Sequence, residues 1–381
     1  VRVLLTGATG FLGREVLVRL LARGHEVLVT TRQRGAEVEA EATARLRAMV
    51  TEVEPGTPLP RLTVAFADVA DPQLALSESG RRWLDAPEPV TVVHGAAEVR
   101  FDLPYEEMHR QNVLGTDHVL RLARRLAEGG RLVRFDHVST AFVAGDRTDL
   151  VLEAQRDEGQ RPRNAYERSK LAAEARVASA RAEGLPVTVH RPSIIVGDSR
   201  TGRASSFKVL YWPMKVYARG RFRTVFGRPD CTLDVVPVDF VAEALVRLLE
   251  EPEAIGRTLH LAAGPGRQAT LLELVRLAER RFARRPVRFI DPDVYQRWLR
   301  PVLRPLLLLL RPDVARRGGV FLPYLRSNPS FDTREASALL APHGIVPPPV
   351  SAYFEAILDY AEASDFGRRA VLPDQSGSSA R

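Results

Sequence analysis

Tyr166-Glu167-Arg168-Ser169-Lys170 places a phenol and an ammonium four residues apart. In a helix that spacing is about one turn, so both side chains share a face. A phenol with a pKa near 10 is a poor acid–base group at neutral pH. A neighbouring ammonium favours phenolate and is expected to bring the pKa towards the working range. The chain has 8 tyrosines, and lysine only at 170, 208 and 215, so a surface pair arising by chance is the weaker explanation. The chemistry such a pair suits is proton transfer at a carbonyl or alcohol oxygen.

A second constellation lies at the start of the chain, in Thr6-Gly7-Ala8-Thr9-Gly10-Phe11-Leu12-Gly13. Glycines there permit a sharp turn, close backbone approach to a pyrophosphate, and tight helix–strand packing. A helix N-terminus after the loop offers unpaired N–H groups and its positive dipole end to phosphates. The spacing is G-x-x-G-x-x-G, one residue wider than the general dinucleotide fingerprint. Gly7, Thr9, Gly10, Phe11, Leu12 and Gly13 are the expected contacts.

The end of the second strand reads Val29-Thr30-Thr31-Arg32-Gln33-Arg34, with no acid before Glu37. An acid there would bind the ribose hydroxyls of NAD, whereas Arg32 can pair with the 2′-phosphate of NADP. Arg14 is a candidate second contact. NADP(H) is therefore expected over NAD. An oxidised nicotinamide beside Tyr166 would add a further pull towards phenolate.

Short Val- and Leu-rich runs at 2–6, 27–31, 61–66, 90–94, 131–138 and 186–191 have the character of buried parallel strands. Helical patterns near 11–23, 36–50, 103–128 and 163–184 alternate with them. This rhythm predicts an α/β fold, a doubly wound parallel (Rossmann) sheet. Pro192 is expected to stop regular structure after the sixth strand. Beyond Gly197 the rhythm breaks. Residues 203–234 and 265–363 read as mostly helical, while 235–262 returns a helix and a strand to the sheet. The division expected is an NADP-binding domain of 1–200 with 235–263, a smaller, mainly helical substrate lobe of 201–234 and 264–363, and a polar, disordered tail of 364–381.

Composition bounds the rest. The chain is 45% hydrophobic and 27% charged, as in ordinary globular proteins, and its single cysteine, Cys231, suits a reducing cytoplasm. The N-terminus runs straight into a strand, and no secretion signal is expected. The net charge of +8 is mostly arginine spread along the whole chain, without a nucleic-acid motif, so no nucleic acid is expected as partner. No metal is expected either. The longest aliphatic run is Leu306–Leu310, far short of the roughly 20 residues of a membrane span. Residues 292–318 mix leucines with arginines around Pro301 and Pro305. They read as two short helices on the substrate lobe, or as the roof of an apolar acyl tunnel, or as a segment in weak contact with a membrane surface.

TGATGFLG, the Y-x-x-x-K pair, His94-Gly95-Ala96-Ala97 and the RPSIIVG at 191–197 together resemble an extended short-chain dehydrogenase/reductase, over about residues 1–263. The resemblance implies that Tyr166 is the acid–base and that Lys170 also holds the nicotinamide ribose. It implies that Thr140, in His137-Val138-Ser139-Thr140, polarises the substrate carbonyl, with Ser139 as second choice. Asp68 and Val69 are implied on the adenine side, Ala96 and Ala97 at the cofactor, and Pro192, Ser193 and Ile194 over the nicotinamide. Asn112 matches a structural asparagine near the site.

VSTAFVAG at 138–145 and the segments 198–202 and 210–220 further resemble the branch of fatty acyl-CoA reductases and thioester-reductase domains. That branch implies reduction of an acyl thioester, on coenzyme A or a carrier protein, or of an aldehyde. A ketone/alcohol dehydrogenase or sugar-nucleotide epimerase would use the same residues. The intact Tyr166, Lys170 and Thr140 weigh against a non-catalytic NADP-binding regulator.

Overall fold

The computed structural model describes residues 1–101, 103–207, 210–220, 224–299, 301 and 322–369. Seven parallel strands form its centre: β1 (Arg2–Thr6), β2 (Glu26–Thr31), β3 (Leu62–Phe66), β4 (Val90–His94), β5 (Leu132–Val138), β6 (Val187–Pro192) and β7 (Thr258–Leu261). Their spatial order is β3-β2-β1-β4-β5-β6-β7. The order reverses between β1 and β4, and at such a switch point the strand C-termini open a crevice.

Side chains along each strand alternate between two helical layers. Val3, Leu5, Val27 and Val29 pack on one face with α1 (Phe11–Ala22) and α2 (Glu39–Val53). Leu4, Leu28 and Val92 pack on the other, against α3 (Glu78–Asp85), α4 (Gly115–Glu128) and α5 (Ala165–Ala182). This two-sided burial explains why the strands are continuous apolar runs rather than alternating ones.

A separate apolar cluster builds the smaller lobe from α6 (Tyr211–Ala218), α8 (Leu271–Phe282) and α10 (Phe354–Ala363), together with Phe142 and Tyr324. Between these, α7 (Val238–Leu249) returns to the sheet and packs beside α1, and α9 (Arg334–Leu340) adds Leu339 and Leu340 to the same face. The α7 C-terminus is fixed by Arg134, which donates to the carbonyls of Leu248, Leu249 and Glu251 and pairs with buried Asp136 at 2.7 Å.

Several local expectations are corrected. The helix expected over 103–128 runs without a gap from Tyr105 to Glu128, but its stretch His109–Leu114, ahead of α4, is π-helical. Helix α3 lies in a stretch where the sequence pattern predicts none. Pro192 does end β6, but strand structure resumes at Ile194–Val196, paired with Val235–Pro237. Within 203–234 the described residues hold one helix, α6, and two short strands, Thr224–Phe226 and Thr232–Leu233. The start of the tail expected from 364 is packed: Ser364 and Phe366 are buried, and the Phe366 N–H donates to the Ala361 carbonyl. The rest of that tail, and Leu306–Leu310 with most of 292–318, lie outside the described residues. Among those described, no helix is long and apolar enough to cross a membrane.

Candidate active site

The loop after β1 is shaped by its glycines. Gly7 adopts φ +81, and a Cβ on it would stand 2.6 Å from the Ala96 nitrogen. A Cβ on Gly13 would run into the Gly7 carbonyl, so helix and loop close on each other only without side chains. Gly10 caps α1 without a side-chain hydrogen bond, which leaves the first N–H groups of the helix facing the crevice. Thr6 ties this loop to the end of β4, through His94 Nδ1 at 2.8 Å and the Ala96 N–H at 3.2 Å.

Two arginines flank the loop. Arg32 is exposed, immediately beyond β2, where Thr30 pairs in register with Thr6. Arg14 sits in the first turn of α1, and its Nε is buried without a hydrogen-bond partner. Burial lowers the Arg14 pKa, opposed by nearby Glu52 and assisted by Arg203. A guanidinium held out of water with an unmet donor beside a helix N-terminus is suited to a phosphate.

The second half of the site comes from β5 and α5. Asn164 caps α5, its side chain accepting the Glu167 N–H at 2.9 Å, which presents Tyr166 and Lys170 on the first turn and a half. Thr140 caps the 3-10 turn Ala141–Ala144 and accepts from the Phe142 N–H at 3.3 Å. Thr140 and Tyr166 line the same cavity, and the Thr140 hydroxyl donates to the Pro192 carbonyl at 3.5 Å. Lys170 is buried, and its Nζ donates to the Val138 carbonyl at 2.7 Å and lies 3.5 Å from His137 Nε2. Burial and the Lys170 charge hold His94 down to about 3 and His137 well below its usual range. Both imidazoles therefore stay neutral beside the ammonium.

The electrostatics differ from the expectation for Tyr166. Its pKa is pushed up to about 12, chiefly by burial, with the Thr140 side chain pulling down and Glu167 pushing up. The Lys170 ammonium is turned to the Val138 carbonyl instead and is not among the groups that set it. Lys170 is itself lowered to about 8 by burial, with Glu174 opposing. Glu174 forms a two-pronged ion pair with Arg191 at 2.9 and 2.6 Å, so a buried row of charge backs the ammonium.

These groups open on one cavity of about 1250 Å³. Of the residues singled out from sequence, Gly7, Gly10, Phe11, Leu12, Gly13, Ala97, Thr140, Tyr166, Lys170, Pro192, Ser193 and Ile194 line it. Thr9, Arg14, Arg32, Asp68, Val69 and Ala96 do not. Asp68 turns its carboxylate to the Ala70 N–H at 3.0 Å, and the Val69 carbonyl accepts from His118 at 2.8 Å. Asn112 joins the Glu98 backbone to Ser169 at 2.9 Å, bracing the loop after β4 against α5.

Sequence reasoning missed the far wall. Phe101, Phe142, Tyr211, Lys215, Tyr324 and Phe366 also line the cavity. Tyr324 hydrogen-bonds to Glu167 and stacks on Phe101 at 6.2 Å. It lies 157 positions from Glu167, so no local spacing could have disclosed it. Glu174, one turn beyond Lys170, did carry a signal.

Residues 5–245 match the NAD-binding family described as male sterility protein. The solved terminal R domain from the myxalamid PKS-NRPS biosynthetic pathway is 27% identical, with a TM-score of 0.78 over 97% of this chain and 92% of that one. A linear gramicidin synthase of Brevibacillus parabrevis is 30% identical over 68% of this chain. The L-2-aminoadipate reductase of Penicillium chrysogenum is 31% identical, in its large subunit, over 69% of this chain. The chain spans only 5% and 19% of those two curated relatives.

Proposed function

The chain belongs to the NAD-binding family described as male sterility protein, and from that membership we propose that it is an NADPH-dependent reductase of acyl thioesters. The observation that carries this reading is a protonated phenol, Tyr166, which with Thr140 lines the same cavity as the glycine loop. A phenol held at about 12 keeps its proton at neutral pH and is prepared to donate rather than accept.

NADPH fits the residues present. The turn at Gly7 and the start of α1 at Gly13 pack closely on neighbouring backbone because neither residue has a Cβ, Arg14 holds an unmet donor, and Arg32 is exposed where a 2′-phosphate would lie. When bound, NADPH supplies hydride. Thr140 and Tyr166 hold the carbonyl oxygen of the substrate, and Tyr166 gives it a proton as charge develops there. Lys170 keeps a positive charge in the pocket wall, and with NADPH bound it would also hold the nicotinamide ribose. Pro192, Ser193 and Ile194 wall the nicotinamide side, while Asp68 and Val69 border the adenine side. With a thioester, loss of thiol leaves the aldehyde, and a second round gives the alcohol. Likeness to the terminal domain of a PKS-NRPS pathway supports a thioester delivered on a carrier protein, and coenzyme A is the free alternative.

The test is NADPH consumption by pure protein over a panel of acyl-CoAs, acyl-pantetheines, aldehydes, ketones and nucleotide sugars. Thioesters and their aldehydes are expected to react. Turnover confined to ketones or nucleotide sugars would replace this reading with a dehydrogenase or epimerase. Tyr166→Phe should lower turnover about 100- to 10,000-fold and leave NADPH binding intact. Near-normal turnover in that variant would remove Tyr166 from the mechanism.

A further inference from the structure

The smaller lobe grips the first turn of the helix that carries Tyr166. Asn164 caps α5 by accepting the Glu167 N–H at 2.9 Å, and the Glu167 carboxylate reaches back to accept the Arg163 N–H at 2.6 Å. Side chains of the helix start thus satisfy its own backbone donors. In sequence, Tyr166 stands between the two residues that do so.

Tyr324, in the 3-10 turn Leu322–Leu325, joins those two residues to each other. Its hydroxyl accepts from Asn164 Nδ2 at 2.7 Å and donates to Glu167 Oε1. Both Tyr324 and Glu167 are buried, and a hydrogen bond to a carboxylate out of water is strong and directional. The turn is itself anchored on α5. The Arg163 guanidinium donates to Asn328 Oδ1 at 2.7 Å and to the Ser327 carbonyl at 3.1 Å, and lies 5.0 Å over the Tyr324 ring. Asn328 in turn donates to the Tyr324 carbonyl at 2.7 Å.

The Tyr324 ring makes a second link. It stacks on Phe101 at 15° and meets Phe142 edge-on at 5.5 Å, and the Phe101 ring lies 5.4 Å from that of Tyr166. The backbone turn that bears Tyr166 and a ring that packs against it therefore both end on Tyr324. Charge adds to geometry. Burial pushes the Glu167 carboxyl up, the Tyr324 hydroxyl pulls it back, and the Glu167 charge in turn helps Tyr166 keep its proton.

We propose that Tyr324 is a positioning residue for Tyr166: its hydroxyl ties Asn164 to Glu167 and so fixes the turn from which the phenol projects, while its ring backs Phe101. The inference rests on the reading of Tyr166 as proton donor and names the residue that aims the donor. It makes the acid dependent on the seating of a lobe segment 157 positions beyond Glu167.

The experiment removes the hydroxyl and keeps the ring. Tyr324→Phe in the full chain, saturated with NADPH, is followed by single turnover on octanoyl-CoA and octanal. The reduction rate should fall about tenfold or more, with KM and NADPH affinity changed less than about twofold. Added to Tyr166→Phe, the same substitution should alter the residual rate by less than about twofold, because the two act through one group. Asn164→Ser keeps a cap acceptor but loses the bond to Tyr324, and its rate should fall in the same direction. Amide hydrogen exchange supplies a readout that needs no substrate: the first turn of α5 should exchange faster in Tyr324→Phe than in wild type. An unchanged rate in Tyr324→Phe, an equal loss with and without Tyr166, or unchanged exchange overturns the inference. Wild type inactive on both substrates would sink the reductase reading instead, and the exchange comparison would then decide the clamp alone.

Discussion

Lys170 is a cation in surroundings that disfavour it. Burial takes its pKa down to about 8, and Glu174, one turn along the same helix, is the group that opposes this. Burial would by itself raise Glu174, yet the Arg191 ion pair, Ser139 and Lys170 hold it below its usual value. If the ammonium is needed, activity must fall as pH rises through about 8, where Lys170 loses its proton. Glu174→Gln removes the upward pull and should move that alkaline limb to lower pH by about one unit. Breaking a buried pair also costs about 3–5 kcal/mol, so the melting temperature should drop as well. The two effects separate by measuring kcat against pH at a temperature where the variant is folded. An unmoved alkaline limb there would make Glu174 purely structural.

At the scale of elements, the crossing of α1 over the glycine loop is the joint on which cofactor binding depends. Gly13 permits no side chain, because its Cβ would enter the Gly7 carbonyl, a backbone group that cannot rotate away. Gly10 is less confined, with the same carbonyl 3.1 Å from its hypothetical Cβ. Gly13→Ala should lift the helix N-terminus from the loop. At about 1–3 kcal/mol of strain, NADPH affinity would fall roughly 10- to 100-fold. Gly10→Ala should cost distinctly less. Calorimetric titration of both variants ranks them, and a Gly13→Ala protein that binds normally would mean the joint is not what orients the N–H groups.

Two of the three apolar clusters among the described residues meet at one cavity. Leu5, Val16 and Leu245 reach it from the sheet core, and Phe142, Tyr211 and Tyr324 from the lobe. A ligand seated there stabilises the folded chain in proportion to its affinity, by about 2.7 kcal/mol at a hundred times its Kd. NADPH should therefore raise the melting temperature by a few degrees, and NADH by less, because Arg32 is exposed beyond β2 and open to a 2′-phosphate. Arg32→Asp should abolish or reverse that order. If wild-type protein is stabilised more by NADH, Arg32 is not the phosphate ligand.

Periodicity and punctuation determined much of this in advance. The six strands predicted from Val- and Leu-rich runs are six of the seven strands of the sheet, because burial on both faces leaves a continuous apolar signature. The glycine loop and the Y-x-x-x-K pair were legible because each depends on neighbours a few residues away. Tertiary structure decided what depends on distant partners. The helix over 105–128 turns π-helical around Asn112, which is bonded to the Glu98 backbone and Ser169. Phe366 joins the lobe core although its segment is polar. Lys170 is turned to the Val138 carbonyl, so the expected acidification of Tyr166 gives way to burial. The aromatic and basic wall facing Tyr166 gathers Phe101, Phe142, Lys215 and Tyr324 from four separate parts of the chain. No local spacing encodes such a meeting; only the packing of the lobe against the sheet domain brings it about.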